Sequence, residues 1–240
     1  MTRSLSVIVP VLDEEGNLEG VVRELGEVLA GHDHEILIVN DGSRDGTAVL
    51  ADRLAATNPE HVRVFHHATN RGGGAATRTG LAAATKELVT MVPGDGQFVA
   101  ADLPRFLSAL GDREMVISRR NNRSGGLVRA LNSWAYRTVV RALLGIQFSH
   151  INWVKLYRRE PLQALPLSSE SWLLDTEILY WATRLGWRSA EIDVEELPRL
   201  RGTATGGSIP HMLHVVRELW RFRQRVKSMP APGSPGEARS

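Results

Sequence analysis

Asn40-Asp41-Gly42-Ser43-Arg44-Asp45-Gly46-Thr47 follows directly on the apolar run Ile36-Leu37-Ile38-Val39, so acids, hydroxyls and two glycines stand at the end of a buried strand. Open α/β sheets bind their ligands at such strand ends, which makes a nucleotide site the first hypothesis. Three further loops carry the same residue types: 10–15, 68–74 and 93–97. On a parallel sheet all four open onto one rim, gathering Asp13, Glu14, Asp41, Asp45, Arg71 and Asp95, with glycines that allow close backbone approach. One acid after a strand means little, whereas acids after three strands make a site. Asp45 alone reads better as a helix cap than as a ligand contact.

Asn70-Arg71-Gly72-Gly73-Gly74 precedes a helix, so its amides and the helix dipole are suited to phosphate, with Arg71 adding a charged fork. The run is neither G-x-x-x-x-G-K-[ST] nor a G-x-G-x-x-G after the first strand, so the usual NTPase and dinucleotide readings lose support.

The elements that must position these loops follow from periodicity. Strands are expected over 5–9, 36–39, 62–66, 88–92, 115–118, 153–157 and 187–194. Helices are expected over 18–29, 47–56, 74–85, 104–110, 127–144, 175–185 and 211–227. Strands alternating with helices imply right-handed crossovers and a mostly parallel sheet covered on both faces. The organisation expected is an α/β domain over 1–210, an amphipathic helix over 211–228 and a Pro- and Gly-rich, disordered tail over 229–240.

Composition narrows the class. The chain has 240 residues and 42% apolar content, enough for a substantial core. It has no cysteine, which excludes disulfides and thiolate metal sites. The N-terminal apolar stretch is too short for a signal peptide and no window is long enough to span a bilayer, so a cytoplasmic protein is expected. The net charge of +2 and the absence of aromatic-basic interleaving argue against nucleic acid.

Arginine clusters in the second half: Arg119, Arg120, Arg123 and Arg129, then Arg137 and Arg141. In the last helix Met212, Val215, Val216, Leu219, Trp220, Phe222 and Val226 form an apolar stripe beside Arg217, Arg221, Arg223, Arg225 and Lys227. Two readings fit: an interfacial helix on a membrane, or a helix that packs its stripe on the domain. Trp153, Trp181 and Trp187 read as packing, Trp172 as an acceptor-loop contact, and His66, His67 and His150 receive no role.

Taken together, SVIVPVLDEEGNL, ILIVNDGSRDGT, NRGGGAATRTG, PGDGQF, SRRNNR, NWVKLYRR, DTEIL and PRLRGTATGGS resemble, in order and spacing, the inverting family 2 glycosyltransferases, in particular the dolichol-phosphate mannosyltransferase-like branch. The resemblance covers about residues 5–210 and implies a GT-A, Rossmann-like fold. It implies that Pro10, Val11, Leu12 and Glu14 line the nucleobase and ribose and that Asp41 contacts the nucleoside. Arg71, Gly72 and Arg119 fall near the donor phosphates. Asp95 matches the last acid of a D-x-D element that holds Mg²⁺ or Mn²⁺ against the diphosphate. Arg199 or Arg201 matches a basic position near the acceptor phosphate, and Asp175 and Glu177 fall where related enzymes place an acid facing the acceptor.

One departure stands out, since the element reads Pro93-Gly94-Asp95 and proline does not ligate a metal. A single carboxylate is compatible with Mg²⁺, which keeps water and substrate phosphates as its other ligands. The reaction implied is sugar transfer from a nucleotide-diphosphate donor, with inversion, to a polyprenyl phosphate or other cell-envelope acceptor, by an enzyme held peripherally on the cytosolic membrane face. A hydroxyl acceptor needs a base such as Asp175, whereas a phosphate is already anionic and needs cations to position it. A nucleotide-sugar-binding subunit without turnover and a sugar nucleotidyltransferase remain as alternatives.

Overall fold

A computed structural model of the chain describes residues 3–120, 138–146, 148, 153–171, 173–197 and 209–227, the side chains of Arg120, 209–216 and Lys227 excepted. The strands are β1 Leu5–Val11, β2 His34–Asn40, β3 Val62–His66, β4 Leu88–Met91, β5 Met115–Arg120, β6 Lys155–Arg158 and β7 Ser189–Val194. The helices are α1 Leu18–Val28, α2 Thr47–Thr57, α3 Gly73–Ala83, α4 Leu103–Leu110, α5 over 138–144, α6 Arg159–Gln163, α7 Leu174–Arg184 and α8 Ile209–Lys227. A 3₁₀ turn, Ala100–Asp102, leads into α4.

The strands form one sheet in the order β3-β2-β1-β4-β6-β5-β7. β6 runs antiparallel to both β4 and β5, and every other pairing is parallel. All seven residues of β2, and six of the seven in β1, are buried, as central strands with both faces covered must be.

Strand alternation divides the core in two. Ile8, Leu37 and Val39 pack beneath α3 and α7, while Val7, Val9, Ile36 and Ile38 pack against α1 and α4. Leu219, Phe222 and Val226 of α8 join the first cluster, while Trp220 of the same stripe is 55% exposed. Trp181 lies in the same cluster and Trp187 against it, while Trp153 packs on the other.

The short helix α6 was not among the expected elements; it tolerates Pro161 because in a first turn the missing N–H has no helical partner to lose. Of the long helix expected over 127–144, residues 138–144 are helical and 127–137 lie outside the described residues, as does the 229–240 tail. Among the described residues no helix is long and apolar enough to cross a membrane.

Candidate active site

The rim expected at the strand ends is a mesh of loops holding one another. Asp13, at φ 56°, accepts the Arg44 amide at 2.7 Å and donates its own to Ser43 Oγ at 3.0 Å. The Glu14 amide donates to Thr47 Oγ1 at 2.8 Å, and Glu15 Oε2 accepts the Gly46 amide at 3.0 Å. The Asp45 carboxylate accepts the Thr47 amide at 3.0 Å and the Glu15 amide at 3.2 Å, the capping role its position implies. Partial burial pushes the Asp45 carboxyl up, but bonds from the Thr47 hydroxyl and from these amides outweigh it and hold it below the usual range. Asp13, Glu15 and Asp45 therefore brace the rim. Glu14 accepts from Asn17 Nδ2 at 2.6 Å at the start of α1.

Asp41 sits lower, 3% exposed, where the second and third loops meet. Gly42 makes the meeting possible: at φ 74°, a Cβ there would lie 2.5 Å from the Thr69 carbonyl carbon. Asp41 Oδ1 accepts the Arg71 amide at 2.9 Å and Oδ2 the Gly72 amide at 2.7 Å. Its Oδ1 also lies 2.7 Å from His67 Nδ1, and His67 Nε2 lies 2.8 Å from Thr79 Oγ1. The two amides expected to cradle phosphate thus bond this carboxylate, and the negative charge favoured at the start of α3 is supplied from within the chain. His67, given no role from sequence, is the side chain that ties this carboxylate to α3. A histidine following a strand carries no signal of that kind by itself.

The fourth loop closes on the first. A Cβ on Gly94 would fall 2.4 Å from Val11 Cγ1, so only glycine lets 93–96 pass so near the end of β1. Asp95 is 7% exposed and its Oδ1 accepts the Gln97 amide at 3.1 Å. Gln97 in turn pairs with Leu197: the Leu197 amide donates to Gln97 O at 2.9 Å and Gln97 Nε2 donates to Leu197 O at 3.1 Å. Arg199 and Arg201 lie outside the described residues, but Leu197, two residues before Arg199, is bonded to the Asp95 loop. Of the expected base-lining residues, Val11 is 2% exposed and donates no side-chain polarity, Pro10 is half-buried and Leu12 is 39% exposed.

Among the described residues no three metal-ligating side chains converge. A divalent cation here would take Asp95 as its ligand from the 93–95 element and the rest of its shell from phosphate and water, which fits the way Mg²⁺ is bound.

Asp175 and Glu177 part company because residues two apart on a helix face different ways. Glu177, 1% exposed, accepts the Ser168 and Ser169 amides at 3.1 and 2.8 Å and the Ser168 hydroxyl at 2.9 Å. It therefore shapes the 168–171 turn, where its carboxylate is engaged. That turn is attached to the third loop, for Glu170 O accepts the Ala75 amide at 2.9 Å and Arg71 donates to Glu170 Oε1 at 2.9 Å.

Asp175 Oδ2 lies 3.4 Å from Lys155 Nζ, with side-chain exposures of 30% and 1%. Lys155 opens β6 opposite Ile117 and donates to Trp153 O at 2.8 Å. Burial pushes the Asp175 carboxyl above its usual range, opposed by the lysine. The buried Tyr157 hydroxyl, without a hydrogen-bond partner among the described residues, is pushed well up by burial and by the Asp175 charge. Lys155 was missed in the sequence because β6 reads there as an apolar strand, and a strand's polar position says nothing of what lies across from it.

Arg119 is also placed differently from expectation. Its fork is bidentate on Asp193, Nε to Oδ1 at 2.8 Å and a terminal nitrogen to Oδ2 at 3.0 Å, because the two residues are register partners on β5 and β7. A phosphate contact would require that pair to open. Trp172 lies outside the described residues.

A sequence profile described as glycosyl transferase family 2 matches residues 6–179. The polyprenol monophosphomannose synthase of Mycolicibacterium smegmatis is 31% identical over 245 residues, covering 94% of this chain and 89% of that one. The undecaprenyl-phosphate mannosyltransferase of Micrococcus luteus is 30% identical over 217 residues, covering 84% and 88%. Among solved structures, glucosyl-3-phosphoglycerate synthase from Mycobacterium tuberculosis, in complex with Mn²⁺, uridine diphosphate and glucosyl-3-phosphoglycerate, superposes with a TM-score of 0.69 at 21% identity, over 92% of this chain and 80% of that one.

Proposed function

The chain belongs to glycosyl transferase family 2, and from that premise we propose that it moves a sugar from a nucleotide-diphosphate donor, with inversion, to a polyprenyl phosphate at the cytosolic membrane face. It is a glycosyltransferase of GT-A fold related to polyprenol-phosphate sugar synthases. The observation that carries the acceptor assignment is the alignment, over 94% of this chain, with a polyprenol monophosphomannose synthase.

The rim supports the donor assignment. In this reading Val11, Leu12 and Asp41 would line the nucleoside, Asp41 Oδ2 keeping an acceptor direction beyond the Gly72 amide. Asp95 would hold Mg²⁺ or Mn²⁺ at the diphosphate end, and the cation would supply stabilisation of the charge on the departing diphosphate. Inversion needs one in-line attack, so the acceptor approaches from the side opposite the diphosphate, with Arg199 and Arg201 as its phosphate contacts. A phosphate oxygen is anionic at neutral pH and attacks without a base. Asp175, paired with Lys155, then shapes the acceptor side and takes no proton.

The test is a panel of labelled nucleotide sugars offered with polyprenyl phosphate, with and without Mn²⁺. The reading expects one sugar to appear on lipid phosphate and the product to depend on the cation. Donor binding with no product under any combination would sink it.

A further inference from the structure

Burial divides α8 into two faces. Leu219 and Phe222 are fully buried and Val226 is 5% exposed, with the Phe222 ring edge-on to Tyr180 at 5.3 Å. The opposite side turns Arg217, Trp220, Arg221 and Gln224 outward, at the spacing of three and four residues that makes one continuous stripe. Trp220 is 55% exposed.

A helix that merely covers a domain shows water a mixture of charges. Here the only acid between Ile209 and Lys227 is Glu218, and it accepts the Ser171 hydroxyl at 3.0 Å on the protein side. The outward side combines an indole with arginines, and Arg225 lies beside it over the edge of the buried stripe, 5.6 Å from the Phe222 ring. An amphipathic ring among basic groups is the composition of a surface that sits at a lipid headgroup layer.

We propose that the outward face of α8 docks on an anionic lipid bilayer, with Trp220 as its anchor and Arg217 and Arg221 as its charge contacts. The proposal rests on the lipid-phosphate reading above and deepens it by naming the surface that meets the membrane. Charge complementarity selects the occupant, since among the described outward-facing residues of α8 there are arginines and no acid, and anionic headgroups attract each such group. Of the stripe read from sequence, Leu219, Phe222 and Val226 are in the core, while Trp220 stands on the outward face. Through Glu218 and Ser171, the docked helix is joined to the turn whose Glu170 holds Arg71 and the start of α3.

The experiment is co-sedimentation of the full chain with phosphatidylcholine vesicles containing phosphatidylglycerol, against pure phosphatidylcholine, with nucleotide-sugar binding measured on the same preparations. Wild type should partition onto the anionic vesicles and release at high salt. Trp220→Ala and the double variant Arg217→Glu, Arg221→Glu should each lower partitioning by about tenfold or more, with donor binding unchanged. Equal partitioning of variants and wild type, equal binding to neutral vesicles, or no binding of wild type would each overturn the proposal. So would a change of oligomeric state in Trp220→Ala without lipid, which would mean that a second copy covers the face. Docking without sugar transfer would sink the functional reading alone, and transfer without docking would sink this one alone.

Discussion

His67 Nδ1 lies 2.7 Å from Asp41 Oδ1, with both side chains buried, at the junction of two rim loops and the start of α3. His67 Nε2 lies 2.8 Å from Thr79 Oγ1, so the ring bridges the Asp41 carboxyl and α3. The rim loops are thus fixed by a charge-assisted contact and two backbone amides before any ligand arrives.

Asp41→Ala should therefore cost folding stability as well as nucleotide binding. It leaves His67 Nδ1 and the Arg71 amide without this acceptor, while the Gly72 amide keeps Asn70 Oδ1 at 2.9 Å, and we expect a loss of about 1–3 kcal/mol by urea denaturation. A double-mutant cycle with His67→Ala should show coupling of about 1 kcal/mol or more. Additive effects would mean that the two side chains do not act together.

Asp95→Ala should behave differently. We expect transfer to fall by at least about a hundredfold, because stabilisation of the leaving group is lost, while the unfolding midpoint moves less than in Asp41→Ala. Initial rates across a Mn²⁺ titration check this, and an unchanged cation dependence in the variant would remove Asp95 from the metal assignment.

Glu35 predicts the acid limb of stability. Its carboxylate, at the opposite end of β2, accepts from Ser6 Oγ at 2.7 Å, the Thr85 amide at 2.7 Å and Arg63 at 3.1 Å. Burial pushes this carboxyl up, but the Ser6, Thr85 and Arg63 bonds outweigh it and hold it below its usual range. With the folded value below the unfolded one, the stabilisation is present above the ordinary carboxylate range and is lost as pH falls through the folded value. Denaturation followed by circular dichroism should show stability falling below about pH 4. Glu35→Gln should be less stable than wild type by about 1–3 kcal/mol at pH 7 and should flatten that slope.

The sheet was legible from sequence because buried parallel strands announce themselves as apolar runs, and β3 falls where its pattern places it, at Val62–His66. The rim was legible because loops after such strands share an edge. What the side chains do there was not. Glu177 and Arg119 carry the residue types of a site, yet each is engaged by a partner outside its own element: Ser168 and Ser169 in the preceding turn, Asp193 on the neighbouring strand. Spacing along one element fixes which face a residue takes, while its partner depends on tertiary packing. Lys155 is the converse case, a buried amine with an acid beside it, inside a strand that reads as core.

That pair supplies the prediction that separates acceptor classes. Asp175→Asn keeps the side chain's shape and removes its charge. If the acceptor is a hydroxyl, the lost base should lower transfer by about a hundredfold to ten-thousandfold; if it is a lipid phosphate, the change should stay within about tenfold. The substitution also leaves Lys155 buried without its counter-charge. A fully buried pair broken this way costs about 3–5 kcal/mol, and the 30% exposure of Asp175 puts the expected loss below that range. Lys155→Met added to Asp175→Asn should recover part of the stability, because the uncompensated charge goes with it. Rates with polyprenyl phosphate, read beside the thermal midpoints of wild type and the two variants, separate a chemical loss from a structural one. A hundredfold loss of rate on lipid phosphate with the midpoint intact would make Asp175 the base and overturn its assignment as a shaping group.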